Sequence, residues 1–77
     1  SIQGVVVNGE VKNSVLFTNA AVAAGAKVID SVLMPGAVVK EGACVVRSLV
    51  ADGIEISAGA VVGNADSEEI TLVAQNV

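Results

Sequence analysis

Lys27-Val28-Ile29-Asp30-Ser31-Val32-Leu33-Met34-Pro35-Gly36 contains the tripeptide whose recurrence decides the fold. Ser-Val-Leu appears at Ser14-Val15-Leu16 and again at Ser31-Val32-Leu33, and Ser48-Leu49-Val50 is the same unit with two apolar residues exchanged. The step is 17 residues each time. Written in rows of that length, the chain falls into columns: Val5, Val22, Val39 and Ile56; Val11, Val28, Val45 and Val62; Gly9, Ala26, Ala43 and Ala60; Gly25, Gly42 and Gly59. Self-similarity at a fixed short period is the mark of one structural unit stacked on itself.

Within a row the apolar positions are five or six residues apart, as at Val22, Val28, Met34 and Val39. An amphipathic helix needs apolar residues three and four apart. Short extended segments separated by turns, three to a circuit, instead give an all-β, single-stranded parallel β-helix of triangular cross-section. The chain holds about four coils of 17–18 residues, and strand spacing makes the stack about 20 Å tall. The segmentation predicts coils over residues 1–63, then a polar turn from Asn64 and a last strand of the same domain within 64–77. Gly25, Gly42 and Gly59 mark one turn column, where φ > 0 is useful. Asn19, Pro35-Gly36 and Asp52-Gly53 mark another.

Composition agrees. Apolar residues form 53% of the 77-residue chain, yet Phe17 is the only aromatic. By count Val supplies 17 and Ala 12. Small and β-branched side chains suit closely spaced strands. The net charge of −4 and the four cations Lys12, Lys27, Lys40 and Arg47 argue against nucleic acid and anionic membrane surfaces. No apolar run reaches the length of a membrane span. The single Cys44 cannot close an internal disulfide and fits a reducing, cytoplasmic setting. With no initiator Met and a start in mid-pattern, the chain reads as an excised domain, Ser1 being a cloning remnant.

Alternation along the strands assigns faces. It places Ala26, Val28, Val32, Met34, Ala37 and Val39 inward, and Lys27, Leu33 and Val38 outward. On this reading Leu16, Leu33 and Val50 form an outward apolar ladder, with Ile29 and Val46 beside it. Stacked outward apolar side chains mark an interface. Leu33→Glu is then expected to spare the fold and weaken association, and Val32→Asp to unfold the chain. Val38 and Ala21 make a weaker outward strip.

Reactive chemistry is sparse. The chain has no His, so neither a His base nor His-ligated zinc can be assembled from it. No catalytic, cofactor or metal residue is assigned. Ser14, Ser31 and Ser48 lack a base and read as a hydroxyl ladder serving turn backbone groups. Asp30 and Arg47 share a turn column with Asn13 and Asn64. They read as a surface ion pair, or as part of an anion or effector contact with Arg47 and Lys40 as its cations. Cys44 reads as an outward thiol in the Lys27 column.

With those motifs laid out, the chain resembles the C-terminal β-helix of bacterial ADP-glucose pyrophosphorylase (glucose-1-phosphate adenylyltransferase) and of its glycogen-biosynthesis regulatory subunit. The residues that carry the resemblance are Val11-Lys12-Asn13-Ser14-Val15-Leu16-Phe17, Val28-Ile29-Asp30-Ser31-Val32-Leu33-Met34-Pro35-Gly36, Val61-Val62-Gly63-Asn64-Ala65-Asp66 and Ile70-Thr71-Leu72-Val73. The resemblance implies hexapeptide coils wound left-handed. It implies a parent that makes ADP-glucose and pyrophosphate from ATP and glucose 1-phosphate, with magnesium and ATP on a separate N-terminal catalytic domain. The β-helix would pack on that domain, contribute to a homo- or hetero-oligomer, a tetramer, and help transmit control by sugar phosphates. The segment from Asn64 to Ile70 has no basic residue, unlike an effector site. Two other readings stay open: a structural β-helix scaffold and a fragment of a hexapeptide acyltransferase.

Overall fold

The computed structural model describes residues 4–77; the remark on Ser1 lies outside them. Twelve short strands follow one another: β1 (Val6–Val7), β2 (Glu10–Lys12), β3 (Val15–Leu16), β4 (Ala21–Val22), β5 (Lys27–Ile29), β6 (Val32–Leu33), β7 (Val38–Val39), β8 (Cys44–Val46), β9 (Ser48–Val50), β10 (Glu55–Ile56), β11 (Val61–Val62) and β12 (Thr71–Val73). Every third strand joins the same sheet. The orders are β1-β4-β7-β10, β2-β5-β8-β11 and β3-β6-β9-β12, all parallel. Three parallel sheets filled by successive turns of one chain are a parallel β-helix. The core is the prism between them, filled by Ala20, Val22, Ala26, Val28, Leu33, Ala37, Val39, Ala43, Val45, Val50, Ile56, Val62 and Val73.

Strands this short leave the corners to define the coil. Each corner column holds a left-handed residue: Asn19, Gly36 and Gly53 at the first; Gly25, Gly42 and Gly59 at the second; Asn13, Asp30, Arg47 and Gly63 at the third. The corner amides find partners one coil away. Gly36 N–H donates to Thr18 O (3.0 Å), Gly59 N–H to Glu41 O (3.0 Å) and Arg47 N–H to Ile29 O (2.9 Å). These main-chain amides at the bends are thus satisfied by stacking.

The period of 17 holds for the middle coils and fails at both ends. Val7 lies against Val22, 15 residues on, so the column that begins with Val5 begins instead with Val7. The corner from β1 to β2 is two residues shorter than its equivalent between β4 and β5. Gly9 occupies that tight passage, where a Cβ would press on the Ala26 carbonyl and come within 2.6 Å of the Ala23 carbonyl. At the other end Thr71 pairs with Ser48, 23 residues back. The six extra residues form the loop after Gly63, held by Asp66 N–H to Asn64 Oδ1 (2.9 Å) and Glu69 N–H to Ser67 Oγ (3.1 Å). Strand β12 then continues the third sheet. Val77 completes the coil against the first sheet, through Val77 N–H to Glu55 O (3.1 Å) and Ser57 N–H to Val77 O (2.9 Å).

The third sheet corrects the faces expected from alternation. Leu33 and Val50 are 0% exposed and Leu16 packs against the core, so the Leu16, Leu33, Val50 column points inward. Val32 and Met34, expected inside, are half-buried. The cause is the corner. Asp30 (φ 50°) and Arg47 (φ 47°) turn the chain left-handed, and such a residue falls outside the pleat. Alternation does not count through it; it restarts, with Ser31 inward, Val32 outward and Leu33 inward. The first two sheets keep the expected phase, with Val28, Val39 and Val45 buried and Lys27 exposed.

The restart places the serines inside. Ser31 and Ser48 are 2% and 1% exposed. Ser31 Oγ donates to Ile29 O (2.8 Å) and accepts from Ser48 N–H (3.1 Å); Ser14 Oγ donates to Lys12 O (2.7 Å) and accepts from Ser31 N–H (3.1 Å). The Ser14 and Ser31 hydroxyls each close their own corner and cap the amide of the next coil, whereas the Ser48 hydroxyl only closes its corner, on Val46 O (2.8 Å). Ser31→Ala leaves the Ser48 amide buried and unpaired, an expected loss of about 1–3 kcal/mol. Urea denaturation checks this, and a midpoint equal to that of the parent protein would refute the ladder's role.

Candidate functional site

Once the phase restarts, the outward positions of the third sheet are Val15, Val32, Leu49 and Leu72, in register across all four strands. Val15 (49%) and Leu72 (68%) are the most open; Val32 and Leu49 are half-buried by their neighbours on the stack. The apolar ladder expected from the sequence exists, displaced by one residue from Leu16, Leu33 and Val50. Ile29 and Val46, half-buried at the ends of β5 and β8, stand in register with each other around the third corner. They flank the new ladder as they were expected to flank the old one. What conceals Val15, Leu49 and Leu72 in the sequence is the left-handed corner ahead of each strand. The usable signal is the Asn or Asp directly before Ser at positions 13 and 30, since those residues tolerate φ > 0 better than others.

A second outward strip lies on the first sheet. Val6, Ala21 and Val38 stack in register, and with Ala23, Ala24 and Lys40 they border a shallow groove of about 420 Å³. Small side chains make its floor low.

The charged residues do not converge. Asp30 and Arg47 occupy neighbouring turns, but no ion pair joins them among the described residues. Arg47 instead runs under the loop after Gly63, where its Nη2 donates to Glu68 O at 3.4 Å and its buried Nε has no partner. Lys40 pairs with Glu55 (Nζ to Oε2, 3.3 Å), and both side chains are about half exposed. Such a pair contributes about 0–1 kcal/mol. Lys40 directly follows β7 and Arg47 directly follows β8, so the two stand at different corners of the coil, each with its own partner. Lys27 is solvated beside Cys44, its register partner, which is a free, half-buried thiol.

Among the described residues no three His, Cys, Asp or Glu side chains gather to hold a metal ion. Ser14, Ser31 and Ser48 are committed to backbone groups, and no Gly-rich phosphate loop is present. The residues here do not fit magnesium or ATP. Among the described residues no helix is long and apolar enough to cross a membrane. The two outward strips of the described residues are apolar.

A family model described as GlmU-like, C-terminal hexapeptide, matches residues 1–75, nearly the full chain. No curated protein sequence matches significantly. The match agrees with the stacked coils, and with it the β-helix is of the left-handed hexapeptide kind.

Proposed function

The chain belongs to the GlmU-like C-terminal hexapeptide family, a family of nucleotidyltransferase-related proteins, and from that premise we propose the role of this domain within a larger enzyme. It is the C-terminal assembly and regulatory domain of a glucose-1-phosphate adenylyltransferase, or of its regulatory subunit, in glycogen synthesis. Catalysis belongs to an N-terminal domain of the same polypeptide, where magnesium and ATP bind. The β-helix packs on that domain, helps build a tetramer, and carries the response to sugar phosphates. The observation that carries the reading is the Val15, Val32, Leu49, Leu72 ladder, an in-register apolar face without a reactive group on it. The quoted segments around the repeated Ser-Val-Leu support the choice of adenylyl transfer to glucose 1-phosphate.

The test uses the polypeptide that carries this domain, assayed for ADP-glucose formation with and without a sugar-phosphate effector and sized by sedimentation. Leu49→Glu is expected to weaken association at least about tenfold, equivalent to about 1.4 kcal/mol, and to blunt the effector response, with the circular dichroism unchanged. Absence both of ADP-glucose synthesis and of any effect on its synthesis by a catalytic subunit would overturn the substrate. An unchanged mass for the variant would overturn the ladder as the contact.

A scaffold reading has one observation in its favour. Among the described residues, strands β1, β2 and β3 at one end, and β11 and β12 at the other, lack a neighbouring strand on one side. Unpaired edges of this kind template further strands. Open-ended polymers in the same sedimentation run would favour that reading over the enzyme domain.

A further inference from the structure

We propose that Asn8-Gly9 is a site of spontaneous, age-dependent modification, at which Asn8 is converted to aspartate and isoaspartate and the first coil is loosened. The chain has five Asn residues, at positions 8, 13, 19, 64 and 76, and only Asn8 is followed by Gly. Asn8 is exposed, on the corner between β1 and β2. Its own amide donates to Val22 O (2.8 Å) and the Glu10 amide to Ala26 O (2.9 Å), whereas the Gly9 amide between them donates to neither a backbone nor a side-chain acceptor among the described residues. Asn76 is the opposite case: its side-chain oxygen accepts from Glu55 N–H (2.8 Å), and the next amide, of Val77, donates to Glu55 O.

The chemistry needs only water. The Gly9 amide nitrogen gives up its proton and attacks Asn8 Cγ. The new C–N bond forms as ammonia leaves, closing a five-membered imide. Water then adds to one of the two imide carbonyls. Addition at Cγ breaks the bond just made and yields aspartate. Addition at the main-chain carbonyl breaks the original peptide bond, and the chain now runs through the side-chain methylene as isoaspartate. Nothing is oxidised or reduced, and each product adds one carboxylate. A side chain on the following residue would obstruct the attack; Gly9 has none.

The corner cannot shed this liability, because Gly is required there for a separate reason. A Cβ at position 9 would meet the carbonyls of Ala26 and Ala23 in the next coil. The residue that lets the shortened corner pass is the one that leaves the amide open to react. Isoaspartate adds a main-chain atom to this corner, so the bonds from Asn8 to Val22 and from Glu10 to Ala26 can no longer both hold their spacing.

The experiment incubates the folded protein in mildly alkaline heavy-oxygen water and maps its peptides by mass spectrometry, with isoaspartyl methyltransferase labelling. Asn8 is expected to convert at least about tenfold faster than each of the other four Asn residues, a barrier difference of about 1.4 kcal/mol. Hydrogen exchange at Asn8 and Glu10 should accelerate in the converted fraction. Asn8→Gln should remove the heavy oxygen from that peptide. Conversion of Asn8 in denaturant but not in the folded protein would overturn the proposal, as would conversion with unchanged exchange.

Discussion

Leu33→Glu is expected to unfold this protein, and Val32→Glu, one residue away, is expected to leave it folded. Leu33 is fully buried in the column of Leu16, Val50 and Val73, facing the other two sheets. Removing a buried Leu side chain costs about 2–5 kcal/mol by itself. Placing a carboxylate in the same volume adds a desolvation penalty of several kcal/mol, with no cation in the prism to offset it. A domain of this size has about 5 kcal/mol or somewhat more in total. The variant is therefore expected to show the far-ultraviolet circular dichroism of an unfolded chain in plain buffer. Val32 lies on the outer face, so its Glu variant should keep the β signature and a urea midpoint near that of the parent. A folded Leu33→Glu protein would mean that the third sheet has the opposite phase.

Gly63→Ala is expected to detach the last coil. Gly63 sits at φ 85°, and a Cβ on it would be driven into the Val46 carbonyl and come within 2.6 Å of Ser48 Oγ. The left-handed backbone costs a residue with a Cβ about 1–2 kcal/mol. The overlap with a main-chain oxygen cannot be relieved by a rotamer change, so the backbone must move. The part free to move is the segment beyond Gly63, which joins the stack through Arg47, β9 and the first sheet. Hydrogen exchange at Thr71 and Val77, whose amides donate to Arg47 O and Glu55 O, should lose protection, while Val28 and Val45 retain theirs. Equal protection across all these amides would show that the corner absorbs the methyl group.

The corners and columns could be read from residues alone because each rests on a local requirement. Gly25, Gly42 and Gly59 are glycines where the chain turns left-handed, and Val11, Val28, Val45 and Val62 repeat because each stacks on the last. The serine ladder was legible for the same reason. The facing of the third sheet was not. Alternation is a rule about the pleat, and Asp30 and Arg47 leave the pleat with side chains that look like ordinary strand-edge polars. A glycine at those positions would have announced the restart. The outward apolar ladder was placed one residue out, at Leu16, Leu33 and Val50, which face the core. The offsets at Val7 and Thr71 were hidden because a fixed row length cannot register a shortened corner or an inserted loop.

Those two offsets also say which changes in length this architecture absorbs. Strands fix the register only where they pair; a corner has no partner sequence to match, so residues can be lost or gained there. The first coil lacks two residues and the last carries six more, yet Val7, Val22, Val39 and Ile56 still stack, as do Leu16, Leu33, Val50 and Val73. A gene encoding such a chain can therefore drift in length in two ways: in small steps at a bend, or by duplication of a whole circuit. A single-residue deletion inside a strand has neither outlet, since it turns the inner side chains out and the outer ones in. Length variation among relatives of this domain should consequently gather at Asn8-Gly9 and around Asn64 to Glu69, and spare the middle coils.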